Sequence, residues 1–292
     1  MVRTSLELLK ENGYTIIPNI LSDDEVTYSK DLFYEWYNTI DTSNNIDYLH
    51  KKLNPHNIFK YHQVGHQRFA WYIRTRKNVQ DVFRNIWETD DLVVSFDGSC
   101  YMKSGENNFS NNLWTHTDQA PKNKGFQCVQ GFVALTDNKK ASLLIYKQSH
   151  LEFENYFKEK KMEDNNKNWN IIEEEYLDKI KDNKIILEVP KGAMVIWDSR
   201  CFHQNVCYDN NEERIVQYVS MLPKEAKKNT PKMHEKRVKY FKELRTTSHW
   251  CYPIRVNNLQ PRTYGEETLK IDYTKLKKPD LNDLMEDINR LL

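Results

Sequence analysis

The chain reads as mainly β, with helices packed on an antiparallel sandwich or barrel. Two observations predict this. Apolar residues recur at helical spacing in the first 90 residues, whereas from residue 99 onward short runs of sheet-favouring residues dominate. A helical front followed by many strands suits helices laid on an antiparallel β architecture. No internal repeat is visible, and no composition shift marks a domain boundary.

The elements follow in order. Leu6, Leu8 and Leu9 frame a short helix, Gly13 breaks it, and Tyr14, Ile16 and Ile17 form a strand. Ser22 with Glu25 three residues on has the form of a capping box, opening a helix through Val26, Leu32, Phe33 and Trp36. Residues 41–65 are polar and irregular and read as loop. Helical spacing resumes from Asn78 to Trp87, and Leu92–Phe96 is a strand ended by Asp97-Gly98. Further strands are expected at 128–135, 142–146, 185–189, 193–197 and 215–221, with a helical excursion at 151–184. A basic, polar segment runs from Lys224 to Lys239, and a weak helix spans Leu281 to Leu291.

Composition narrows the function classes. The chain has 292 residues, enough for a substantial core, and 43 basic against 42 acidic residues. A net charge of +1 supplies no general field toward nucleic acid or an anionic membrane. Five cysteines with no CxxC pair argue against a disulfide scaffold and against cysteine-based zinc, and fit a reduced compartment. No secretory leader and no run of about 20 apolar residues is present, so a cytoplasmic protein that does not insert in a membrane is expected.

The sharpest local feature is Trp114-Thr115-His116-Thr117-Asp118. On a strand, residues two apart share a face, so His116 and Asp118 aim an imidazole and a carboxylate at one point. His203 follows a strand ending in Trp197-Asp198-Ser199. Two histidines and a carboxylate can hold one face of an iron(II) ion and leave three positions open. Arg214 carries a planar, permanently charged fork suited to the far carboxylate of a chelating 2-oxo acid. The same three ligands around a water would also serve a zinc hydrolase, so the residues alone leave both readings open.

At these positions the sequence resembles the phytanoyl-CoA dioxygenase-like family of iron(II)/2-oxoglutarate-dependent oxygenases. The similarity is ordered and covers roughly residues 5–220. It runs through the opening Leu9 to Glu25, the 114–118 motif, Gln130–Asp137, Leu143–His150 and Pro190–Ser199. The resemblance implies a double-stranded β-helix, a cupin-like jelly roll, with His116 and His203 on neighbouring strands. It implies iron ligation by His116, Asp118 and His203, 2-oxoglutarate held by Arg214, and oxygen as co-substrate. Asp118 argues against halogenating members, which lack that carboxylate. The sequence departs from the pattern in two places: Lys147-Gln148 stand where Pro-Gly is common, and Asn205 stands where a small hydroxyl residue often follows the distal histidine. Asn205 can still donate a hydrogen bond to the co-substrate. Gln130 and Tyr101 are expected to face inward beside it, and His150 to be structural or substrate-facing. Trp114 and Trp197 are expected to pack the sheet.

The expected organisation is an oxygenase core at 1–222, including the N-terminal helices and the 151–184 insertion, with an extension at 223–292 packed on it. The expected activity is hydroxylation of a carbon of a small organic molecule, with release of succinate and carbon dioxide. The alternatives are a non-redox metal hydrolase and an inactive barrel acting as a binding module, for which the basic run 224–239 is the support. Ser248–Pro253 reads as an aromatic packing segment, or else as a strand or lid near the site. No motif names the substrate.

Overall fold

A computed structural model describes residues 4–40, 46–105 and 112–292. Nine helices and thirteen strands are assigned among the described residues. The helices are α1 (Ser5–Asn12), α2 (Asp23–Thr39), α3 (Ile46–Leu53), α4 (Arg68–Thr75), α5 (Lys77–Trp87), α6 (Ser149–Glu159), α7 (Glu174–Lys179), α8 (Pro231–Lys242) and α9 (Met285–Leu291). The first strands are β1 (Tyr14–Ile17), β2 (Ile58–Phe59), β3 (Leu92–Val94), β4 (Ser99–Met102), β5 (His116–Thr117) and β6 (Val129–Ala134). The rest are β7 (Ala141–Tyr146), β8 (Asn170–Ile171), β9 (Lys184–Ile186), β10 (Met194–Asp198), β11 (His203–Cys207), β12 (Arg214–Val219) and β13 (Met221–Pro223).

Two antiparallel sheets form the jelly roll, in the orders β1-β10-β6-β12-β4-β2 and β8-β5-β11-β7-β9. The alternation of side chains along each strand decides what faces the space between them. On β6, Phe132 and Ala134 join the inner core, while Val129 and Val133 join the helix-side core. On β10, Val195 and Trp197 point inward and Met194 and Ile196 outward. Because α2, α4 and α5 cover the outer face with Phe33, Phe69, Trp71 and Phe83, both faces of the larger sheet are buried. That is why its strands read as near-continuous apolar runs.

The local signals at the N-terminus act as the sequence predicts. Ser22 Oγ accepts from Glu25 N–H at 3.2 Å, and Glu25 Oε2 accepts from Ser22 N–H at 2.9 Å. Gly13 ends α1 at φ 84°, in the left-handed region that glycine adopts without steric penalty. A Cβ there would also lie 2.6 Å from both His150 Nδ1 and Cys201 Sγ.

Two expectations are corrected. The stretch 41–65, expected as loop, contains α3 at Ile46–Leu53 and β2 at Ile58–Phe59, with 41–45 outside the described residues. Leu49 and Leu53 of α3 pack against Leu269 and Ile271, partners more than 200 residues away that a local window cannot show. The excursion at 151–184 is helical at α6 and α7 but contains β8, which pairs with β5 through Ile171 opposite His116. The strand expected at Leu92–Phe96 is present as β3, Leu92–Val94, and pairs with β13 in a separate two-stranded ribbon.

The segment after residue 223 is continuous with the core. Ile254, Leu281, Leu284 and Ile288 join the helix-side cluster, and Trp250, Cys251 and Tyr252 pack on Val93, Cys128 and Leu222. Lys224–Lys239, expected only as a basic polar run, contains the start of α8, capped by Thr230 with Pro231 in its first turn. Among the described residues no helix is long and apolar enough to cross a membrane. All five cysteines are buried and free.

Candidate metal centre and its cavity

His116 and His203 stand directly opposite each other on β5 and β11. Their rings lie 4.4 Å apart between centroids. Each is oriented in the same way, by a contact to the carbonyl two residues before it: Nδ1 of His116 lies 3.1 Å from Trp114 O, and Nδ1 of His203 lies 2.9 Å from Cys201 O. With the proton on Nδ1 donating to those carbonyls, both Nε2 lone pairs turn toward the space between the rings.

Asp118 lies one residue past the end of β5, so the strand does not carry it as the i, i+2 argument supposed. A hydrogen bond from its N–H to Ser199 O, at 3.0 Å, holds the bend that keeps the carboxylate on the histidine side. Asp118 Oδ2 is 3.5 Å from His116 Nε2 and 3.3 Å from His203 Nε2. The three ligand atoms all fall within 4.8 Å of one another. Burial pushes the Asp118 carboxyl up, but the imidazoles of His116 and His249 and the hydrogen bonds at the triad outweigh it and hold the carboxyl well below its ordinary range. Burial pushes His116 down, against the pull of Asp118. Both shifts favour the metal-ligating forms, a carboxylate and a neutral imidazole.

Gln130, on the inner face of β6, donates from Nε2 to Asp118 Oδ2 at 3.0 Å. Trp250 donates from Nε1 to the Asp118 carbonyl at 3.0 Å, so the C-terminal segment braces the ligand loop. That segment is therefore both an aromatic packing segment and a wall of the site.

Arg214 is fully buried on the inner face of β12. Its Nε donates to Asn138 Oδ1 at 3.0 Å and its Nη1 to Asn205 Oδ1 at 2.9 Å. Its Nη2 is buried with no hydrogen-bond partner among the described residues. Asn205 turns its amide to the Tyr218 hydroxyl at 3.1 Å. Tyr218, two strand positions after Val216 and four after Arg214, shares their face; sequence reasoning missed it, although the period of two could have found it. The guanidinium also lies 5.3 Å from the Phe132 ring.

A cavity of about 340 Å³ is lined by His116, Asp118, Gln130, His203, Asn205 and Tyr218, among others, with Arg214 reached through Asn205 and not itself among the lining residues. Trp114 and Trp197, expected as sheet packing, also line it, as do Asp97, Ser248 and His249. His56 stacks on Trp114 at 3.8 Å, and burial lowers its pKa to about 4. Tyr101 is not in this group. It alternates with Cys100 and Met102 on β4 and points to the helices, packing on Phe33 and Tyr37 at 5.2 and 5.0 Å. The expectation that it faces the co-substrate is thus corrected by one step of register, and Cys100 takes the inward position, 3.3 Å from Arg214 Nη1. His150 contacts Lys10 O at 2.9 Å and ties α6 to α1, a structural role.

The sequence profile described as Phytanoyl-CoA dioxygenase (PhyH) matches residues 9–205. Ava biosynthesis cluster protein O of Aspergillus versicolor is 28% identical over 230 residues, covering 73% of this chain and 75% of its own length. A putative phytanoyl-CoA dioxygenase of Dictyostelium discoideum is 22% identical over 200 residues, covering 56% of each. Among solved structures, EctD from S. alaskensis with 2-oxoglutarate and 5-hydroxyectoine superposes with a TM-score of 0.53 at 13% identity, over 76% of each chain. HygX from Streptomyces hygroscopicus, with nickel, 2-oxoglutarate and hygromycin B bound, gives 0.53 at 11% identity over 77% of this chain and 88% of its own. The non-heme monooxygenase ThoJ, as a nickel complex, gives 0.51 at 13% identity over 98% of this chain and 96% of its own. At these identities the structural likeness speaks for the fold, and in the last case it extends through the C-terminal segment.

Proposed function

From the premise that this chain belongs to the phytanoyl-CoA dioxygenase family, we propose that it is an iron(II)- and 2-oxoglutarate-dependent hydroxylase of a small organic molecule. His116, Asp118 and His203 hold the metal in this reading, and Arg214 binds the far carboxylate of 2-oxoglutarate. The observation that carries it is the pairing of the triad with one orphaned donor. Arg214 Nη2 is buried and unpartnered, and an unpaired buried donor is costly unless a ligand satisfies it. A hydrolase would give that donor nothing to bind. The co-substrates of EctD and HygX, whose crystals contain 2-oxoglutarate, agree with this assignment.

When bound, iron(II) would activate oxygen, the oxidant: one oxygen atom would enter a substrate C–H bond and the other succinate, as 2-oxoglutarate is oxidised and loses carbon dioxide. The chain's own residues do the positioning. The Trp114 and Cys201 carbonyls fix which imidazole nitrogens face the ion. Gln130 fixes one Asp118 oxygen. Asn138 and Asn205 hold the Arg214 fork so that Nη2 is the donor left for the co-substrate, and Asn205 passes orientation on to the Tyr218 hydroxyl. Residues 1–222 form the core in this reading, and 223–292 complete its cavity.

The test is conversion of 2-oxoglutarate to succinate by the iron-loaded protein, alone at a low uncoupled rate and faster with substrate. Replacing His116 and Asp118 together by alanine is expected to reduce it on the order of a thousandfold, the loss of several kcal/mol of metal chemistry. Succinate formation that survives the double substitution would overturn the assignment, and zinc-dependent hydrolysis without 2-oxoglutarate binding would replace it.

A further inference from the structure

Among the described residues, Asp97 is the one acid in the cavity wall with no part in metal or co-substrate binding. It follows Phe96, and Phe96 and Thr247 exchange hydrogen bonds: Thr247 N–H donates to Phe96 O at 2.9 Å, and Phe96 N–H donates to Thr247 Oγ1 at 3.0 Å. This pairing sets Ser248 and His249 alongside Asp97, and all three line the cavity. Ser248 Oγ and His249 Nε2 are buried with no hydrogen-bond partner among the described residues. The Asp97 carboxylate accepts one hydrogen bond, from Gly98 N–H at 2.8 Å. Gly98 permits that close wall, since a Cβ there would lie 2.0 Å from Phe59 O.

No lysine or arginine among the described residues forms an ion pair with Asp97. Arg74 is near, but its guanidinium donates to the Gly65 and Asp97 carbonyls, at 2.5 and 2.7 Å, and not to the carboxylate. Burial correspondingly raises the Asp97 pKa, with His249 and Arg74 opposing the shift. Lys60, the cavity's lysine, is exposed at the rim.

Resting on the oxygenase reading, the charges can be summed. Dipositive iron and doubly negative 2-oxoglutarate cancel, and Arg214 cancels Asp118. Asp97 is left as the cavity acid whose carboxylate no cation hydrogen-bonds among the described residues, with the Arg74 guanidinium nearby offsetting part of its charge. A substrate that excluded water without pairing it would pay the desolvation penalty of an isolated carboxylate. We infer that the substrate is a compact amine, whose protonated nitrogen pairs with Asp97 and is hydrogen-bonded by the unsatisfied Ser248 and His249 groups. Trp169, which also lines the cavity, offers a ring that favours a cation and an adjoining apolar frame. A cavity of about 340 Å³ that also holds the co-substrate limits the enclosed part of the substrate to a small one.

The experiment loads the full chain with nickel(II) and 2-oxoglutarate without oxygen and measures both affinities by calorimetry. It then titrates matched probes: tyramine, tryptamine and spermidine, against N-acetyltyramine, N-acetyltryptamine and the corresponding aryl carboxylic acids. Amines are expected to bind at least tenfold tighter than their acetylated or acidic counterparts. Asp97→Asn is expected to remove that preference with nickel and 2-oxoglutarate affinity unchanged. Should Asp97→Asn fold poorly by circular dichroism, Ser248→Ala serves as the second variant, with a severalfold loss for amines alone. Equal or tighter binding of the acetylated or acidic probes, no binding by any amine, or a preference that survives these substitutions would overturn the amine assignment. Failure to load nickel and 2-oxoglutarate strikes the oxygenase reading instead, and is seen before any amine is added.

Discussion

The two ends of the cavity are built differently. The metal end rests on strands: β5, β6, β11 and β12 each contribute a side chain, and each is held by a hydrogen bond to its neighbours. The far wall is assembled from Asp97, at the end of a short ribbon strand, and Thr247–His249, about 150 residues later, joined by the Phe96–Thr247 pair. Sheet register makes the first end rigid, as chemistry at a metal requires. Both ends have buried polar atoms without a partner among the described residues, Arg214 Nη2 at the first and Ser248 Oγ and His249 Nε2 at the second. On the proposed reading, the barrel keeps the chemistry while the added wall selects what is oxidised.

That division can be tested by perturbing one end and reading the other. The largest effect is expected at Arg214. Arg214→Lys keeps the charge but loses the fork that bonds Asn138 and Asn205 while leaving Nη2 free. 2-Oxoglutarate affinity should fall about a hundredfold, the loss of a charged hydrogen bond. Metal affinity and amine binding in the presence of saturating 2-oxoglutarate should hold, and calorimetry separates the three.

Acid should act on the far wall next. His66 is fully buried, its Nε2 contacts Arg245 O at 3.0 Å just before the wall segment, and burial lowers its pKa to about 3. The folded state keeps this ring neutral while the unfolded chain takes up a proton near pH 6.5. Stability from this group is complete above pH 6.5 and declines as pH falls from there toward 3, by up to ~1.4 kcal/mol per pH unit. Between pH 6.5 and 5 the loss approaches about 2 kcal/mol, read as a falling urea midpoint. A midpoint that does not fall across that interval would show that the folded state does not hold His66 neutral.

A smaller effect is expected at Gln130. Gln130→Leu removes the donor to Asp118 Oδ2 at nearly constant volume. Nickel affinity should drop about tenfold, the scale of a group that orients a metal ligand, with the fold unchanged by circular dichroism.

Legibility followed the same division. His116 and Asp118 stood out by their short spacing, the set with His203 and Arg214 took its roles from the ordered family resemblance, and the strands of the larger sheet announced themselves as apolar runs. Tyr101 and Tyr218 mark the limit of that reading. One register step separates a residue facing the cavity from one facing the helices, and with both faces of the sheet buried the alternation of polar and apolar residues that would fix the register is erased. Asp97 was read only as the end of a strand, and Ser248–Pro253 only as packing or cover. Nothing local to either links them. Their meeting depends on a chain reversal across the whole barrel, just as α3 depends on Leu269 and Ile271.

The smallest expected effect tests whether the two ends are mechanically joined. Trp250 lies in the far wall yet donates to the carbonyl of Asp118, a residue of the metal end. Trp250→Phe keeps most of the packing on Val93, Cys128 and Leu222 but leaves that carbonyl without its donor. One neutral hydrogen bond is worth about 1 kcal/mol in stability. If the wall merely leans on the core, the variant loses that stability and nothing else. If Trp250 also sets the Asp118 bend, nickel affinity falls severalfold as well, and the loss should not add to that of Gln130→Leu, because both act through the same carboxylate. Full additivity of the two substitutions in nickel affinity would mean that the ends are independent, and that the C-terminal segment serves substrate choice alone.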